Sequence, residues 1–504
     1  MIFLRKFFLP AEVLPRVRVR VPIPRLALRG LACLLFSGVT PLLVIATTAT
    51  LSPATAVAAT SAFQPQWESY LTPFSAASPW NSRPVEPVFG DFVVPKSSYS
   101  PLIASGAWST GMFLAKDSDG PMVVKGLAGR PGVWDPDAEV NQPQITIPRW
   151  PAETVGAAAA DGHADIFDPV LRVIHSFWQL KNVDGQWVAA QYAWASVEGR
   201  GWGDPAHYYQ GSRAAGVPTS AGLIRKHEIN DGEPVYHHAL AMSLTFNALA
   251  ANPNYIFPAT SGDSVVSTPN TGMIPEGALM MLPSSYDTSK IASAALRKVA
   301  DTLKMHGAYV VDRNYGTPFV IYVENGADFK MSDIKWDNAV AAELDRIRLG
   351  LRQVTSAKSW LDGNGQVMAP EKIFNRLSMR GAWQAQTGPP LGTFNTLAQA
   401  VVFPSTAIRI TQVNYSGRGL NKIGWATPQE GAIQRLTASA KGGAKLRMTI
   451  NTKSGVKLFD SGELGAGESV QFPWPAADAG FVFYAISGVG QSSLIRGDLV
   501  DGGS

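Results

Sequence analysis

The sequence predicts a mainly β fold, with a jelly-roll-like or β-sandwich core, a few helices and a C-terminal β-sandwich domain. Three observations support this class. Between residues 163 and 325 the apolar residues fall in short runs separated by Gly, Pro and Asn, as in short strands joined by turns. One segment there, 287–307, has the period of an amphipathic helix. The strand-rich segment 405–504 has the size of one small sandwich domain.

The first 58 residues predict a secretory leader, or signal peptide. Residues 1–30 hold seven basic residues and one acid, and the uncharged run from Leu31 to Leu51 follows them. The small residues Ala56-Val57-Ala58 then offer a cleavage site after Ala58. The alternative is an uncleaved anchor, because the apolar run is about long enough to span a bilayer. The predicted location is therefore secreted or periplasmic, with membrane contact only if the leader is retained.

Charge and cysteine content exclude several classes of function. Of the 43 basic and 39 acidic residues, seven and one lie in the leader, which leaves 36 and 38 and no basic stripe for nucleic acid. The only cysteine, Cys33, also lies in the leader, so the rest of the chain has no disulfide, thiol nucleophile or zinc–thiolate site. No HExxH or HxxxH spacing occurs. The sequence therefore predicts no metal, no cofactor and no nucleic-acid partner.

The chain after the leader divides into three predicted segments. Residues 59–325 form a β-rich main domain whose helix lies in "DTSKIASAALRKVADTLKMHG", with Thr288 or Ser289 at its start and Gly307 at its end. Residues 326–404 are predicted to hold a helical segment, notably "SDIKWDNAVAAELDRIRLGLRQV", and the linker "QAQTGPPLGTFN". Residues 405–504 form the C-terminal β-sandwich, which is either a glycan-binding domain or a structural or dimerising module.

The histidines are the first candidates for chemistry, because all seven lie between residues 163 and 306 of the predicted main domain. In "DGHADIFDP", strand geometry would place Asp161, His163 and Asp165 on one face, although a solvated turn is the alternative. In "EPVYHHALAM", strand geometry would send His237 and His238 to opposite faces. His238 is therefore the single catalytic candidate of that stretch, and its alternative is a buried structural imidazole.

Carboxylates form the second group of candidates. Glu276 in "IPEGAL" and Asp312 in "YVVDRNYG" are the acid and base candidates for glycoside hydrolysis, in which two carboxyl groups flank the sugar bond. Asp263 in "PATSGD" is a further polar candidate. Each of these acids also fits a turn, where a carboxylate satisfies the backbone.

One arginine and two aromatic residues are the candidates for substrate binding. Arg225 in "AGLIRKHEI" suits a substrate carboxylate through bidentate contacts, although an ion pair with Glu228 is the alternative. Trp202 and Tyr209 lie in the Gly-rich stretch "EGRGWGDPAHYYQGSR", where exposed rings suit the flat faces of sugars.

The order of the blocks "SPWNS", "DGHADIFDP", "GLIRKHEI", "HHALAM", "YIFPA", "IPEGA" and "GAYVVD" resembles a widespread family of secreted bacterial β-rich proteins of unassigned function. The resemblance covers about residues 75–325. It implies that His163, Arg225, His238 and Asp312 occupy recurrent motif positions, and it implies no reaction. After "YIFPA" the family often has another histidine, whereas this chain has Thr260-Ser261-Gly262-Asp263.

Together these patterns predict a secreted, cofactor-free carbohydrate-active enzyme that cleaves a polysaccharide or cell-envelope glycan. In a polysaccharide lyase, His238 or His163 would remove the proton beside a uronate carboxylate that Arg225 neutralises. In a glycoside hydrolase, Asp312 and Glu276 would be the acid and base. The alternative from another class is a non-catalytic glycan-binding or envelope-structural protein.

Overall fold

The computed structural model describes residues 65–502 except 205, 206, 265–267, 333, 335, 336, 373, 382, 390, 415–418, 422, 477 and 478. The predicted leader, residues 1–58, and Cys33 lie outside the described residues. Within them, no helix has the length and apolar character needed to cross a membrane. The described residues belong to one compact unit.

Eighteen strands and two α-helices build the larger part of the described chain. The strands are β1 (Arg83–Phe89), β2 (Leu102–Ala104), β3 (Met112–Leu114), β4 (Met122–Gly126), β5 (Val133–Asp135), β6 (Val140–Gln142), β7 (Gln144–Ile147), β8 (Ala164–Asp168), β9 (Val173–Trp178), β10 (Lys181–Val183), β11 (Gln186–Ala189), β12 (Gln191–Ser196), β13 (Leu240–Thr245), β14 (Leu279–Met281), β15 (Ala308–Asn314), β16 (Phe319–Tyr322), β17 (Arg352–Leu361) and β18 (Val367–Met368). Helix α1 (Ala294–Met305) precedes β15, and helix α2 (Asn338–Gly350) precedes β17.

These elements form four layers. The largest sheet has the order β1-β17-β14-β15-β13-β16-β2, with β18 beside β17. One face of this sheet packs on apolar residues of α1 and α2, and the other face packs on a six-stranded sheet of order β3-β8-β9-β12-β5-β6. The far face of the six-stranded sheet packs on a four-stranded sheet of order β10-β11-β4-β7. The core therefore lies between the stacked sheets and between the main sheet and its two helices, and central strands such as β8 and β13 are buried on both faces.

The C-terminal part is a sandwich of two five-stranded sheets. Its strands are β19 (Gln384–Thr387), β20 (Thr393–Asn395), β21 (Ala400–Phe403), β22 (Thr411–Asn414), β23 (Ile433–Lys441), β24 (Lys445–Asn451), β25 (Lys457–Asp460), β26 (Ser469–Pro473), β27 (Gly480–Ile486) and β28 (Ser493–Asp501). One sheet has the order β19-β22-β27-β24-β25 and the other β20-β21-β28-β23-β26. Alternate residues of both sheets meet in one apolar core. The predicted mainly β class, with sandwich layers and few helices, is confirmed.

The structure differs from the prediction for residues 326–404. Helix α2 covers only Asn338–Gly350, and after the C-cap Leu351 the next ten residues form β17, which pairs with β1 and β14 in the main sheet. The predicted linker contains β19 and β20, which are strands of the sandwich. The Gly and Pro residues there mark the connection between the two sandwich sheets instead of a linker between domains.

The predicted helix exists but begins later than expected. Its N-cap is Ser293, whose side chain accepts a hydrogen bond from the backbone N–H of Leu296, so the predicted start at Thr288 or Ser289 is wrong. The predicted end is confirmed, because Gly307 follows the C-cap with φ +74°, a conformation that favours glycine.

Candidate functional site

Two carboxyl groups, those of Asp263 and Asp312, are hydrogen-bonded to each other near the end of β15. Both also accept from the backbone N–H of Arg313, at 2.9 Å to Asp263 Oδ2 and 3.0 Å to Asp312 Oδ1. Two carboxylates this close cannot both ionise readily, so the pair shares a proton. Burial and the neighbouring Asp312 charge raise the pKa of Asp263 to about 7.

A β-bulge brings Asp312 to this position. Strand β15 pairs with β13 regularly as far as Val310 opposite Met242, but the next pair is Asp312 opposite Ser243, so Val311 is an extra residue. In a regular strand Asp312 would share the face of Val310, which packs in the core under the helices. The bulge places Asp312 on the face of Ser243 instead, where the side chain reaches the site.

Arg213 is the cation of this site. Its Nη1 donates to Asp312 Oδ2 at 3.0 Å, and its guanidinium lies 3.8 Å from the centre of the Tyr322 ring. The Arg213 side chain is only 2% exposed, whereas that of Asp312 is 18% exposed. Within the described residues, Nε and Nη2 of Arg213 have no hydrogen-bond partner. Burial raises the pKa of Asp312, and the Arg213 charge opposes this effect without cancelling it.

Glu276 lies behind the pair. Its Oε1 accepts from the backbone N–H of Asp263 at 3.0 Å, which fixes the loop that carries Asp263. The residue is 1% exposed, and burial together with the Asp263 charge raises its pKa well above the ordinary value. Glu276 is therefore a buried, protonated acid that positions Asp263, and it does not stand across a sugar bond from Asp312 as predicted.

His163 and Asp161 border the same group of residues. His163 is 3% exposed, and burial together with the Arg213 charge lowers its pKa well below the ordinary value, so its imidazole is neutral. Asp161 is only partly buried and accepts from Trp178 Nε1 at 3.1 Å. After the larger effects of burial and nearer groups, the Asp161 charge also raises the pKa of both Arg213 and Asp312, so Asp161 lies within electrostatic range of the carboxyl pair.

The predicted face shared by Asp161, His163 and Asp165 is wrong, because β8 begins only at Ala164. Asp165 is fully buried and accepts from the hydroxyl and backbone N–H of Ser220 at 2.6 and 2.7 Å. It therefore fixes a loop instead of orienting an imidazole. Within the described residues, no group of three histidine or acidic side chains could hold a metal ion.

His238 lies near the opposite end of the main sheet. The predicted strand position is wrong, because β13 begins at Leu240 and His238 belongs to the bend before it. Leu240 pairs with Ala308, four residues before Asp312, which corresponds to roughly 13 Å along the strand. The carboxyl pair and His238 therefore do not form one site.

An ion pair with Glu228 holds His238. The imidazole donates from Nδ1 to Ala239 O at 2.9 Å, and Nε2 lies 3.1 Å from Glu228 Oε1. Burial lowers the pKa of His238, but the Glu228 carboxylate raises it by more. Burial raises the pKa of Glu228, and the His238 charge overcomes this effect and lowers it to about 2.

Arg225 belongs to the same region as His238. Its Nε donates to Glu324 Oε2 at 3.0 Å, and its Nη1 donates to Tyr70 O at 3.0 Å. The residue is 4% exposed. The alternative partner Glu228 accepts from the Arg225 backbone instead of its guanidinium. Arg225 therefore links three segments of the fold, and the predicted contact with a substrate carboxylate is not available to it.

Aromatic residues line an open cleft next to the carboxyl pair. The cleft has a volume of about 390 Å³ and is lined by Trp134, Pro136, Glu139, Tyr208, Tyr209, Tyr255, Thr260, Ser261, Gly262 and Ile423. Gly262 directly precedes Asp263. Burial raises the pKa of Tyr209 to about 12, and the Asp263 and Asp312 charges act in the same direction. Tyr209 thus lines the cleft and lies within electrostatic range of the pair.

The prediction that Trp202 is an exposed ring for sugar binding is wrong. Trp202 is completely buried and stacks on Trp80 with ring centres 5.0 Å apart, in the core between the two largest sheets. A larger cavity of about 600 Å³ lies beside Phe257, Tyr309 and Trp360, and none of the predicted site residues lines it. Of the predicted site residues, Tyr209 lines the smaller cleft, and Asp263 directly follows its lining residue Gly262.

Arg213 is the site residue that no sequence motif indicates. It lies in "GSRAAGVPTSAG", a stretch of small residues without a motif, and it meets Asp312 across 99 residues of chain. The available signal is a single arginine among glycines, alanines and serines, where few other side chains could pair with a carboxylate.

No protein-family model and no curated protein matches the chain. Three solved structures illustrate the partial matches. A glycosylation-associated protein complex from Streptococcus agalactiae is 13% identical, with a TM-score of 0.17, 24% of this chain and 46% of that chain covered. BiXyn10A CBM1 is 11% identical with a TM-score of 0.17, and the match covers 25% of this chain and 95% of that chain. A mutant of the family 29 carbohydrate-binding module CBM29-2 is 12% identical with a TM-score of 0.15, and the match covers 26% of this chain and 89% of that chain.

The chain spans less than half the length of the first of these structures. Likenesses of this extent establish neither a fold nor a function for the chain.

Proposed function

We propose that the protein is a secreted carbohydrate-active enzyme that hydrolyses a glycosidic bond in the cleft beside Asp263 and Asp312. The observation that carries this proposal is the proton-sharing carboxyl pair next to a cleft lined by four aromatic residues. Aromatic rings suit the apolar faces of sugars, and a carboxyl group with a pKa near the working pH suits proton transfer. Export is supported by the predicted leader.

Asp263 is the proposed general acid. With a pKa of about 7, it carries a proton in a substantial fraction of molecules near neutral pH. Asp312 holds the negative charge of the pair because Arg213 donates to it at 3.0 Å. In the reaction, the proton of Asp263 passes to the glycosidic oxygen as the bond to the sugar carbon breaks. The nearby Arg213 charge then stabilises the ionised pair.

Asp161 is the proposed second carboxylate. Asp263 and Asp312 are hydrogen-bonded to each other, so they are too close to stand on opposite sides of a sugar ring. Asp161 is partly exposed, and its charge reaches both Asp312 and Arg213. It would take one proton from the attacking water while the remaining hydroxyl adds to the sugar carbon. The proton balance closes when Asp161 and Asp263 exchange protons with solvent.

Polysaccharide lysis by β-elimination is less well supported. Its predicted base His238 and its predicted cation Arg225 are both held near the opposite end of the main sheet from the carboxyl pair. His163 is neutral but only 3% exposed. Neither cation beside the pair is available to a uronate carboxylate, since Arg213 pairs with Asp312 and is only 2% exposed, and the Arg313 side chain donates to Thr268 O at 2.8 Å. A neutral glycan therefore fits the site better than one rich in uronates.

The test uses the leader-free protein and a panel of soluble polysaccharides. Galactomannan, arabinan and hydroxyethylcellulose represent neutral chains, and polygalacturonate and alginate represent uronate chains. We expect new reducing ends from a neutral chain and no unsaturated product that absorbs in the ultraviolet. Asp263→Asn and Asp161→Asn should each lower kcat by about 10²- to 10⁴-fold. Asp287→Asn, at a side chain that is 51% exposed and lies beside α1, is the matched control.

Three outcomes would count against the proposal. Unsaturated products would favour the lyase. Full activity of both active-site variants would exclude their proposed roles. No cleavage of any chain, together with glycan binding that Tyr209→Ala weakens, would leave the non-catalytic glycan-binding protein as the better description.

A further inference from the structure

We infer that the C-terminal sandwich is a fixed wall of the cleft and that Arg380 is the residue through which it positions the substrate-binding surface. The structural part of this inference is independent of the proposed function. Its kinetic consequence rests on that function.

Arg380 contacts three of the residues that line the cleft. Its Nη1 donates to Pro136 O at 3.0 Å, and its Nη2 lies 3.3 Å from Glu139 Oε1. Its guanidinium lies 3.3 Å from the centre of the Tyr208 ring. Pro136, Glu139 and Tyr208 belong to two separate segments of the main part of the chain. Arg380 lies just before β19, in a segment whose Leu377 and Met379 pack in the sandwich core, so one side chain attached to the sandwich holds both segments at a defined spacing.

Arg380 is itself fixed before any substrate arrives. Its Nε donates to Ser378 Oγ at 2.9 Å, and its own carbonyl accepts from Asn414 Nδ2 at 3.2 Å. The residue is 3% exposed. The next backbone N–H, that of Gly381, donates to Ala138 O at 3.0 Å. The planar guanidinium thus has one orientation, which is what a positioning role requires.

Further contacts tie the sandwich to both sides of the cleft. Thr396 Oγ1 donates to Asp135 Oδ2 at 2.6 Å beside the Trp134 wall. Trp425 Nε1 donates to Ala259 O at 2.8 Å, immediately before the lining residue Thr260. Ile423 of the sandwich lines the cleft directly. A binding domain on a flexible linker would show none of these contacts, so the sandwich acts here as part of the site.

The test compares Arg380→Lys with Arg376→Lys. Arg376 lies in the same segment and is 8% exposed, but it donates to Ala426 O and Asp501 Oδ2, which both belong to the sandwich. Lysine keeps the charge at each position and loses the planar fork. Thermal melting of both variants establishes that they fold.

Amide hydrogen exchange gives the structural readout. We expect Arg380→Lys to speed exchange about tenfold in residues 134–139 and 207–210, with the two sandwich sheets unchanged. Arg376→Lys should leave both segments as in the wild-type protein. Unchanged exchange at 134–139 and 207–210 in folded Arg380→Lys would overturn the inference, whatever the activity.

Kinetics on the polysaccharide that the wild-type protein cleaves gives the functional readout. We expect Arg380→Lys to raise KM about tenfold and to leave kcat within about twofold, because it disturbs binding and not the carboxyl pair. A fall in kcat at unchanged KM would overturn the positioning role. Altered exchange in a protein that cleaves no polysaccharide would instead overturn the proposed function and retain the structural inference.

Discussion

Replacement of His238 by alanine should destabilise the fold and spare the chemistry. His238 is 16% exposed and its partner Glu228 is 13% exposed, so the two charges are largely withdrawn from water. Removal of the imidazole leaves the Glu228 carboxylate buried beside the Arg225 backbone N–H, which donates to it at 2.8 Å. A buried charge that loses its ionic partner is strongly destabilising.

The size of this destabilisation follows from the pKa shift of Glu228. His238 overcomes the effect of burial and lowers the pKa of Glu228 from an ordinary 4.5 to about 2. At 1.36 kcal/mol for each pH unit, this difference corresponds to roughly 3 kcal/mol of stability. We therefore expect His238→Ala to lower the free energy of unfolding by about 2 to 4 kcal/mol near pH 6. His237→Ala is the matched control, because His237 and Glu233 are 26% and 30% exposed and such pairs contribute below about 1 kcal/mol.

The pH dependence has a defined sign. The pKa of His238 is raised above its ordinary 6.5, so its contribution is complete below pH 6.5 and is lost as the pH rises through the folded-state value. The pKa of Glu228 is lowered, so its contribution is complete above pH 4.5 and is lost as the pH falls toward 2. The difference between wild type and His238→Ala should therefore be largest between pH 4.5 and 6.5.

Urea unfolding followed by tryptophan fluorescence from pH 3 to 9 measures this difference, and reducing-end assays on the folded variant measure activity. The reasoning fails if His238→Ala has the unfolding curve of the wild type but has lost activity. That result would restore His238 as the catalytic base predicted from the sequence.

Three further predictions concern the cleft and its supports. Because Asp263 must carry a proton to act as acid and its pKa is raised to about 7, kcat should fall as the pH rises above about 7, and Asp263→Asn should remove this limb from the kcat–pH profile. Trp202→Ala should cost about 3 to 5 kcal/mol in urea unfolding, since Trp202 is fully buried. Tyr209→Ala should weaken glycan binding and cost less stability than Trp202→Ala, since Tyr209 is only partly buried; equal stability losses would contradict the assigned positions. Gly277→Ala should destabilise the protein and lower activity, because Gly277 has φ +85° and a new Cβ would lie 2.2 Å from Ile256 O; a wild-type melting temperature would refute this.

The sequence predicted the fold class because that class depends on local signals. Short apolar runs between Gly and Pro mark strands wherever the strands pair. The end of α1 at Gly307 was predictable for the same reason, since the left-handed conformation after a helix favours glycine. The start was not predictable, because Thr288, Ser289 and Ser293 can all cap a helix and packing in the core selects among them.

Strand β17 is an element that local sequence signals do not predict. Arg352–Leu361 is separated from the end of α2 by one residue and is mostly polar, so its sequence resembles the end of a helical segment. It becomes a strand because β1, more than 250 residues earlier, and β14 both pair with it. Such long-range partners override local preference, and no pattern within the segment reports them.

The candidate site was predictable residue by residue and not as an arrangement. Asp263, Glu276 and Asp312 were all candidates, but their pairing depends on a bulge at Val311, and two successive valines fit a regular and a bulged strand equally well. The prediction that His237 and His238 point to opposite faces of a strand was wrong for a related reason, because the strand begins only two residues after His238. Alternation assigns side chains to faces only where a strand is regular. The carboxyl pair lies at the bulge of β15, and bulges often occur near functional sites. The alternation of side chains that identifies core residues is therefore least informative at the residues that could carry chemistry.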